Sequence, residues 1–97
     1  MEVWQWKLIT ASTQLATETV YIKSIIQWTT TASSVGTIIY NLATNACTAG
    51  AMFLTIWGGI KDTKVIMFDN PCQLDAGCYI DWEIGKAGGL LVQYKPV

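Results

Sequence analysis

The chain contains no histidine and no arginine, and only 13% of its 97 residues are charged. Without an imidazole, neither a Ser-His nor a Cys-His nucleophilic pair can be built, nor can a zinc site that needs histidine. Without arginine, and with a formal net charge of −1, the basic footprint that phosphate recognition requires is missing, so no nucleic-acid partner is expected. The three cysteines, Cys47, Cys72 and Cys78, include no CxxC pair. A Cys72–Cys78 bridge across a loop is one arrangement; free, half-buried thiols in a protein made in a reducing cytoplasm are the other. No segment of about ten or more residues carries a helical apolar stripe. The opening "MEVWQWKLI" has no basic region ahead of its apolar block and does not read as a signal peptide.

Charge is also absent from the middle of the chain, where no Asp, Glu, Lys or Arg occurs between Lys23 and Lys61. Thr29 to Thr31, Ser33, Ser34, Asn41, Asn45 and several glycines interrupt this stretch. No run approaches the roughly 20 apolar residues of a transmembrane helix, so no membrane span is expected.

What the chain does have is 52% hydrophobic residues, five Trp, four Tyr and twelve Thr. The β-branched and aromatic excess favours strands and excludes disorder. In "CYIDWEI", Cys78, Ile80, Trp82 and Ile84 alternate with Tyr79, Asp81 and Glu83, which gives a strand with one dry face. In "VYIKSIIQW", Val20, Ile22, Ser24, Ile26 and Trp28 share a face opposite Tyr21, Lys23, Ile25 and Gln27. Further strands are read at "GTIIYN", "MFLTIW", "TKVIMF" and "LLVQYK", separated by turn signals at 32–36, 41–50, 58–62, 69–77 and 85–89. Pro71 falls in a loop and Pro96 ends the last strand. The expected fold is therefore all-β: one domain over residues 1–97, a compact antiparallel β-sandwich, jelly-roll or Ig-like, of about seven to eight strands. Trp28, Ile80, Trp82 and Val92 are expected in its core.

Two segments have apolar residues on both faces. "AMFLTIWGG" places Met52, Leu54 and Ile56 opposite Phe53, Thr55 and Trp57. In "VWQWKLI", Trp4, Trp6 and Leu8 face away from Val3, Gln5, Lys7 and Ile9. This N-terminal piece, residues 1–10, either closes an edge of its own sheet or acts as an arm on a partner. A 97-residue domain can bury one face of each strand, so the second faces are expected to meet another subunit. Trp4, Trp6, Phe53 and Trp57 are the expected interface residues. Trp4, Trp6, Trp57 and Tyr79 could instead form a sugar-stacking platform in a small carbohydrate- or ligand-binding module, the rival reading.

Catalytic machinery is thin. Asp81 and Glu83 share a strand face roughly 7 Å apart, a spacing that would serve a glycosidase acid and base, but a solvated outer face accounts for them. Asp69, Asn70 and Asp75 lack EF-hand order and suit an ordinary Asx turn. No catalytic, cofactor-binding or metal-binding residue is assigned, and the chain is not expected to be an enzyme.

The order of the pieces resembles a known group. "YIKSIIQWTTTASSVGTIIYN", a small-residue loop to Gly50, a greasy strand, "FDNPCQLDAGCYIDWE" and the closing "GGLLVQYK" are similar to small accessory structural proteins of tailed-bacteriophage virions, of decoration or cement type. Gly36 to Asn41, Leu74 to Asp81 and Leu90 to Tyr94 stand at the matching places. The paired N-terminal tryptophans, the three cysteines and the very apolar middle strand depart from that pattern. The resemblance implies a non-enzymatic β-sandwich that binds copies of itself, a trimer being favoured, and a major capsid protein or other virion protein. It implies a place in the virion, after assembly in the host cytoplasm.

Overall fold

The computed structural model describes residues 3–30, 36–82 and 87–96. Most of the turn expected at 32–36, the first two residues of the one expected at 85–89, and Glu83 and Ile84 lie outside these residues. Eight strands occur among those described: β1 (Gln5–Ile9), β2 (Thr13–Ala16), β3 (Val20–Thr29), β4 (Thr37–Tyr40), β5 (Met52–Ile56), β6 (Asp62–Leu74), β7 (Cys78–Asp81) and β8 (Gly88–Pro96). A single 3-10 turn, Ala49–Ala51, precedes β5.

The strands pair antiparallel as β4 with β5, β3 with β6, β2 with β7 and β1 with β8. The chain is thus one long ribbon folded back at the 41–51 loop. Wrapping that ribbon brings β3 beside β8 and β4 beside β7. The result is two four-stranded sheets, ordered β1-β8-β3-β6 and β2-β7-β4-β5. This order is the jelly roll rather than the Ig-like alternative, whose sheets group their strands differently.

The inner faces meet in one core. Ile22, Ile25, Leu90 and Val92 come from the first sheet, and Ile39, Cys78, Ile80 and Trp82 from the second. Ile80, Trp82 and Val92 are therefore core residues, as their alternation requires. Trp82 is pinned at the end of β7, where its backbone N–H donates to the Ser12 hydroxyl at 2.9 Å. One polar pair lies inside: the Thr37 hydroxyl donates to Gln27 Oε1, while Gln27 Nε2 is buried without a partner.

Trp28 is not in the core. Between Ile22 and Ser24 the register of β3 shifts against both neighbours, and against β8 Lys23 is the extra residue. A bulge of this kind reverses the faces beyond it. Ile25, Gln27 and Thr29 consequently point inward, and Ser24, Ile26 and Trp28 point out. The Trp28 ring lies across Gly89 of β8, where an added Cβ would come within 2.5 Å of ring carbon Cζ2. Opposite Lys23, β6 makes a wider excursion: its pairing with β3 breaks after Met67 and resumes at Cys72. Pro71 sits in that excursion, inside a strand that runs on to Leu74 rather than in the expected loop.

A second bulge alters β5. Ile39 pairs with Leu54 and Tyr40 with Met52, so Phe53 is the extra residue. It packs against the core cluster, with its ring centroid 6.0 Å from that of Phe68 on β6. Phe53 therefore helps close the sandwich between two edge strands.

Candidate functional site

The apolar second face expected of β5 belongs to the other sheet. Paired residues of antiparallel strands share a face, so the outer side of β1-β8-β3-β6 can be read row by row. One row is Leu8, Leu91, Ile26 and Val65, aliphatic across all four strands. The next is Trp6, Gln93, Ser24 and Met67. On the other side come Gly89, Trp28 and Thr63. Trp6, Leu8, Val65 and Met67 are 51%, 54%, 58% and 75% exposed. Leu91, Ile26 and Trp28 are half-buried between them. Ser24 and Gln93 satisfy each other at 2.9 Å, the hydroxyl donating to Oε1. These three rows hold no charged side chain.

The outer side of the second sheet is different in kind. Its rows are Gln14, Tyr79, Tyr40 and Met52, then Asp81, Ile38 and Thr55. Gln14 Nε2 donates to the carbonyls of Ala16, Leu42 and Cys78. Tyr40 is buried beside Cys47, and this burial is the main reason its phenol is raised above the ordinary value. The 41–51 loop thus occupies part of this face with satisfied polar groups, and the first sheet's outer face carries the exposed apolar area.

Both edges of that first sheet are protected. β1 and β6 carry Lys7 and Lys64 on their inward-facing rows, where they reach solvent at the rim. Lys64 is held 3.2 Å from Asp62. Inward charges on edge strands oppose edge-to-edge pairing, leaving the flat face as the means of contact. The Asp62 carboxyl lies below its ordinary value, first because of its bond to Lys64 and then because of the Gly59 N–H.

At one end of the face the two irregularities open a hollow of about 320 Å³ lined by Trp4, Tyr21, Pro71 and Lys95. Tyr21 and Lys95 are register partners. The Lys95 ammonium is 4.9 Å from the Trp4 ring centroid and 5.4 Å from that of Tyr21, and Lys23, the bulged residue, is 5.3 Å from Trp4.

The four expected interface residues do not form one patch. Trp6 lies on the outer face, Trp4 borders the hollow at its end, and Phe53 packs inside. Trp57 follows β5 at the edge of the other sheet, 55% exposed. The N-terminal segment joins its own sheet through β1. The Trp4, Trp6, Trp57 and Tyr79 platform is not assembled either, because Tyr79 stands on the second sheet beside Tyr40, ring centroids 6.5 Å apart. Sequence reading missed Ile26, Val65, Met67 and Leu91 as surface residues. The signal was available in "VIMF", where apolar residues occupy both faces of a strand.

The other candidates have local roles. Asp81 accepts from the Ser12 hydroxyl at 3.2 Å. Asp75 accepts from Gln73 at 2.7 Å, and its carbonyl accepts from Thr19 at 2.9 Å. Cys47, Cys72 and Cys78 are free thiols. Among the described residues no group of three His, Cys, Asp or Glu side chains could hold a metal ion, and no helix is long and apolar enough to cross a membrane. Comparison with known proteins finds no matching family model, no matching curated protein and no matching solved structure.

Proposed function

We propose that this protein is a non-enzymatic structural component that assembles with copies of itself through the outer face of the β1-β8-β3-β6 sheet. The observation that carries the reading is the uncharged row Leu8, Leu91, Ile26 and Val65 with its neighbours Trp6, Met67 and Trp28. Depletion of charge at the centre, with aromatic and Met side chains added, is the composition of an interface core. Four strands spaced by about 4.8 Å give a flat surface on which a second sheet can stack at about 10 Å. The jelly roll itself is shared by viral capsid and lectin domains, so the surface and not the fold supports the reading.

The finer reading, supported by the sequence resemblance, is a decoration or cement protein that binds and stabilises a tailed-phage head lattice. Two copies meeting through the same face make a closed dimer. A trimer, which the resemblance favours, needs that face to meet a different patch on the next copy. Trp57 and Ile60, 55% and 72% exposed in the β5–β6 connection, supply one.

Light scattering over a range of concentrations tests self-association, with Val65→Lys and Trp57→Ser as variants. The expected wild type is an oligomer, and Val65→Lys, on an exposed edge-strand position, yields a folded monomer. Trp57→Ser separates the geometries: it breaks a trimer and spares a face-to-face dimer. A wild-type chain that stays monomeric at every concentration would overturn self-association. Co-sedimentation with assembled phage heads then tests the lattice reading.

A further inference from the structure

The apolar face of the β1-β8-β3-β6 sheet has relief as well as composition. Trp28 makes a ridge: its ring rises from β3 and lies across Gly89 of β8, where an added Cβ would sit 2.5 Å from ring carbon Cζ2. Two residues away along β3, on the far side of Ile26, lies a trough. Its floor is the buried Ser24, hydrogen-bonded to Gln93 of β8 at 2.9 Å. Its walls are the exposed Trp6 of β1 and Met67 of β6. Ridge and floor thus occupy the same two central strands, and the walls stand on the two edge strands.

Ridge and trough flank the row Leu8, Leu91, Ile26 and Val65 at about 7 Å to either side, because Ser24, Ile26 and Trp28 are successive outward residues of one strand. Turning a second copy by half a turn about that row sets its face against the first and exchanges the two sides, while each strand stays over its own counterpart. Each ridge then enters the other copy's trough, both at once. A two-fold axis along the strands would instead set every row against itself. Two indoles would meet in one row and hold the sheets apart, leaving both troughs unfilled. That axis would also bring the two copies of the exposed Lys23 together at the Trp4 end, and like charges so placed oppose a pairing.

We infer that the partner of this face is a second copy of the chain, related by a two-fold axis along the row Leu8, Leu91, Ile26 and Val65, with Trp28 of each copy seated on the Ser24–Gln93 pair of the other. This arrangement rests on the self-assembly proposed above and selects the closed dimer over the trimer. Along the axis each aliphatic side chain meets its own counterpart in an uncharged seam. A desolvated indole N–H needs an acceptor, and the Ser24 hydroxyl, which donates its proton to Gln93 Oε1, has lone pairs to accept with. The polar pair in the middle of an apolar face thereby fixes the register, since a slip by one row would bury the pair and the indole N–H apart from each other.

The test is cross-linking of the whole chain in a Cys47→Ala/Cys72→Ala background, in which the remaining thiol, Cys78, is buried. Leu8→Cys and Val65→Cys, at exposed positions on opposite edge strands, are each treated with a short bismaleimide. Either variant alone is expected to give a covalent dimer, and an equimolar mixture to give no Leu8→Cys to Val65→Cys product. Cross-linking in the mixture alone would place the axis along the strands. Failure of both single variants to cross-link, where light scattering shows an oligomer, would place the contact elsewhere. Either result overturns the arrangement and leaves self-assembly standing. Trp28→Leu should raise the Kd of the dimer about tenfold or more; an unchanged Kd would overturn the seating of the indole. Melting curves of every variant confirm that the fold is intact. A wild-type chain that is monomeric at every concentration would instead overturn the assembly itself, and this arrangement with it.

Discussion

Cys78 is fully buried where β7 faces the core, and desolvation pushes its thiol up to about 12 from the ordinary 9.0. Folded and unfolded chains both hold this proton below about pH 9; between there and about 12 only the unfolded chain releases it. Stability therefore falls as pH rises through that window. Melting temperatures measured across it should show a steeper decline for wild type than for Cys78→Ala; parallel curves would contradict the assignment. The same burial predicts that thiol reagents modify Cys47 and Cys72 in the native protein and reach Cys78 only on unfolding. The buried Gln27–Thr37 pair makes a second prediction at this scale. Thr37→Val removes the donor facing Gln27 Oε1 and should cost about 1–3 kcal/mol, whereas Gln27→Leu/Thr37→Val should cost less, because the buried Gln27 amide is removed together with its donor. Urea denaturation of the single and double variants checks the difference. Neither residue's inward position was legible in the sequence, since Gln27 alternates with the face assigned to solvent until the bulge at Lys23 is known.

At the scale of strands, alternation was legible wherever pairing is regular. Cys78, Ile80 and Trp82 were placed correctly because β7 runs without interruption. It failed at β3 and β5, where one inserted residue exchanges the faces, and an extra residue leaves no mark on composition. β2 was missed because "TQLA" is short, sits at an edge and has no apolar alternation. The Trp28–Gly89 contact offers a test of the corrected face. Gly89→Ala places a methyl group 2.5 Å from the ring and should destabilise by about 1–3 kcal/mol through overpacking. Pairing it with Trp28→Leu should recover much of the loss, a coupling that a double-mutant cycle reads directly. Were Trp28 elsewhere, the two changes would simply add.

For the whole molecule, the sandwich class was legible from composition and turn spacing, while the choice of jelly roll over Ig-like order was not. Strand order depends on which hairpins wrap beside which, and nothing local in "GTIIYN" or "LLVQYK" specifies its second neighbour. The wrapping also carries a kinetic consequence. β1 pairs with β8, and β3 must receive both β6 and β8, so most pairings close long loops before they are rewarded. Refolding from urea is expected in about milliseconds to seconds, as for other all-β folds rich in non-local pairing; stopped-flow fluorescence of the tryptophans would reveal a faster process if the topology were more local.

The folded-back ribbon has one more consequence. Its two ends lie side by side, Gln5 opposite Tyr94, and its tip is the exposed stretch between Tyr40 and Met52. A circular permutant that joins the ends through a short flexible linker and opens the chain near Asn45 would keep every strand pair and merely exchange tip for tail.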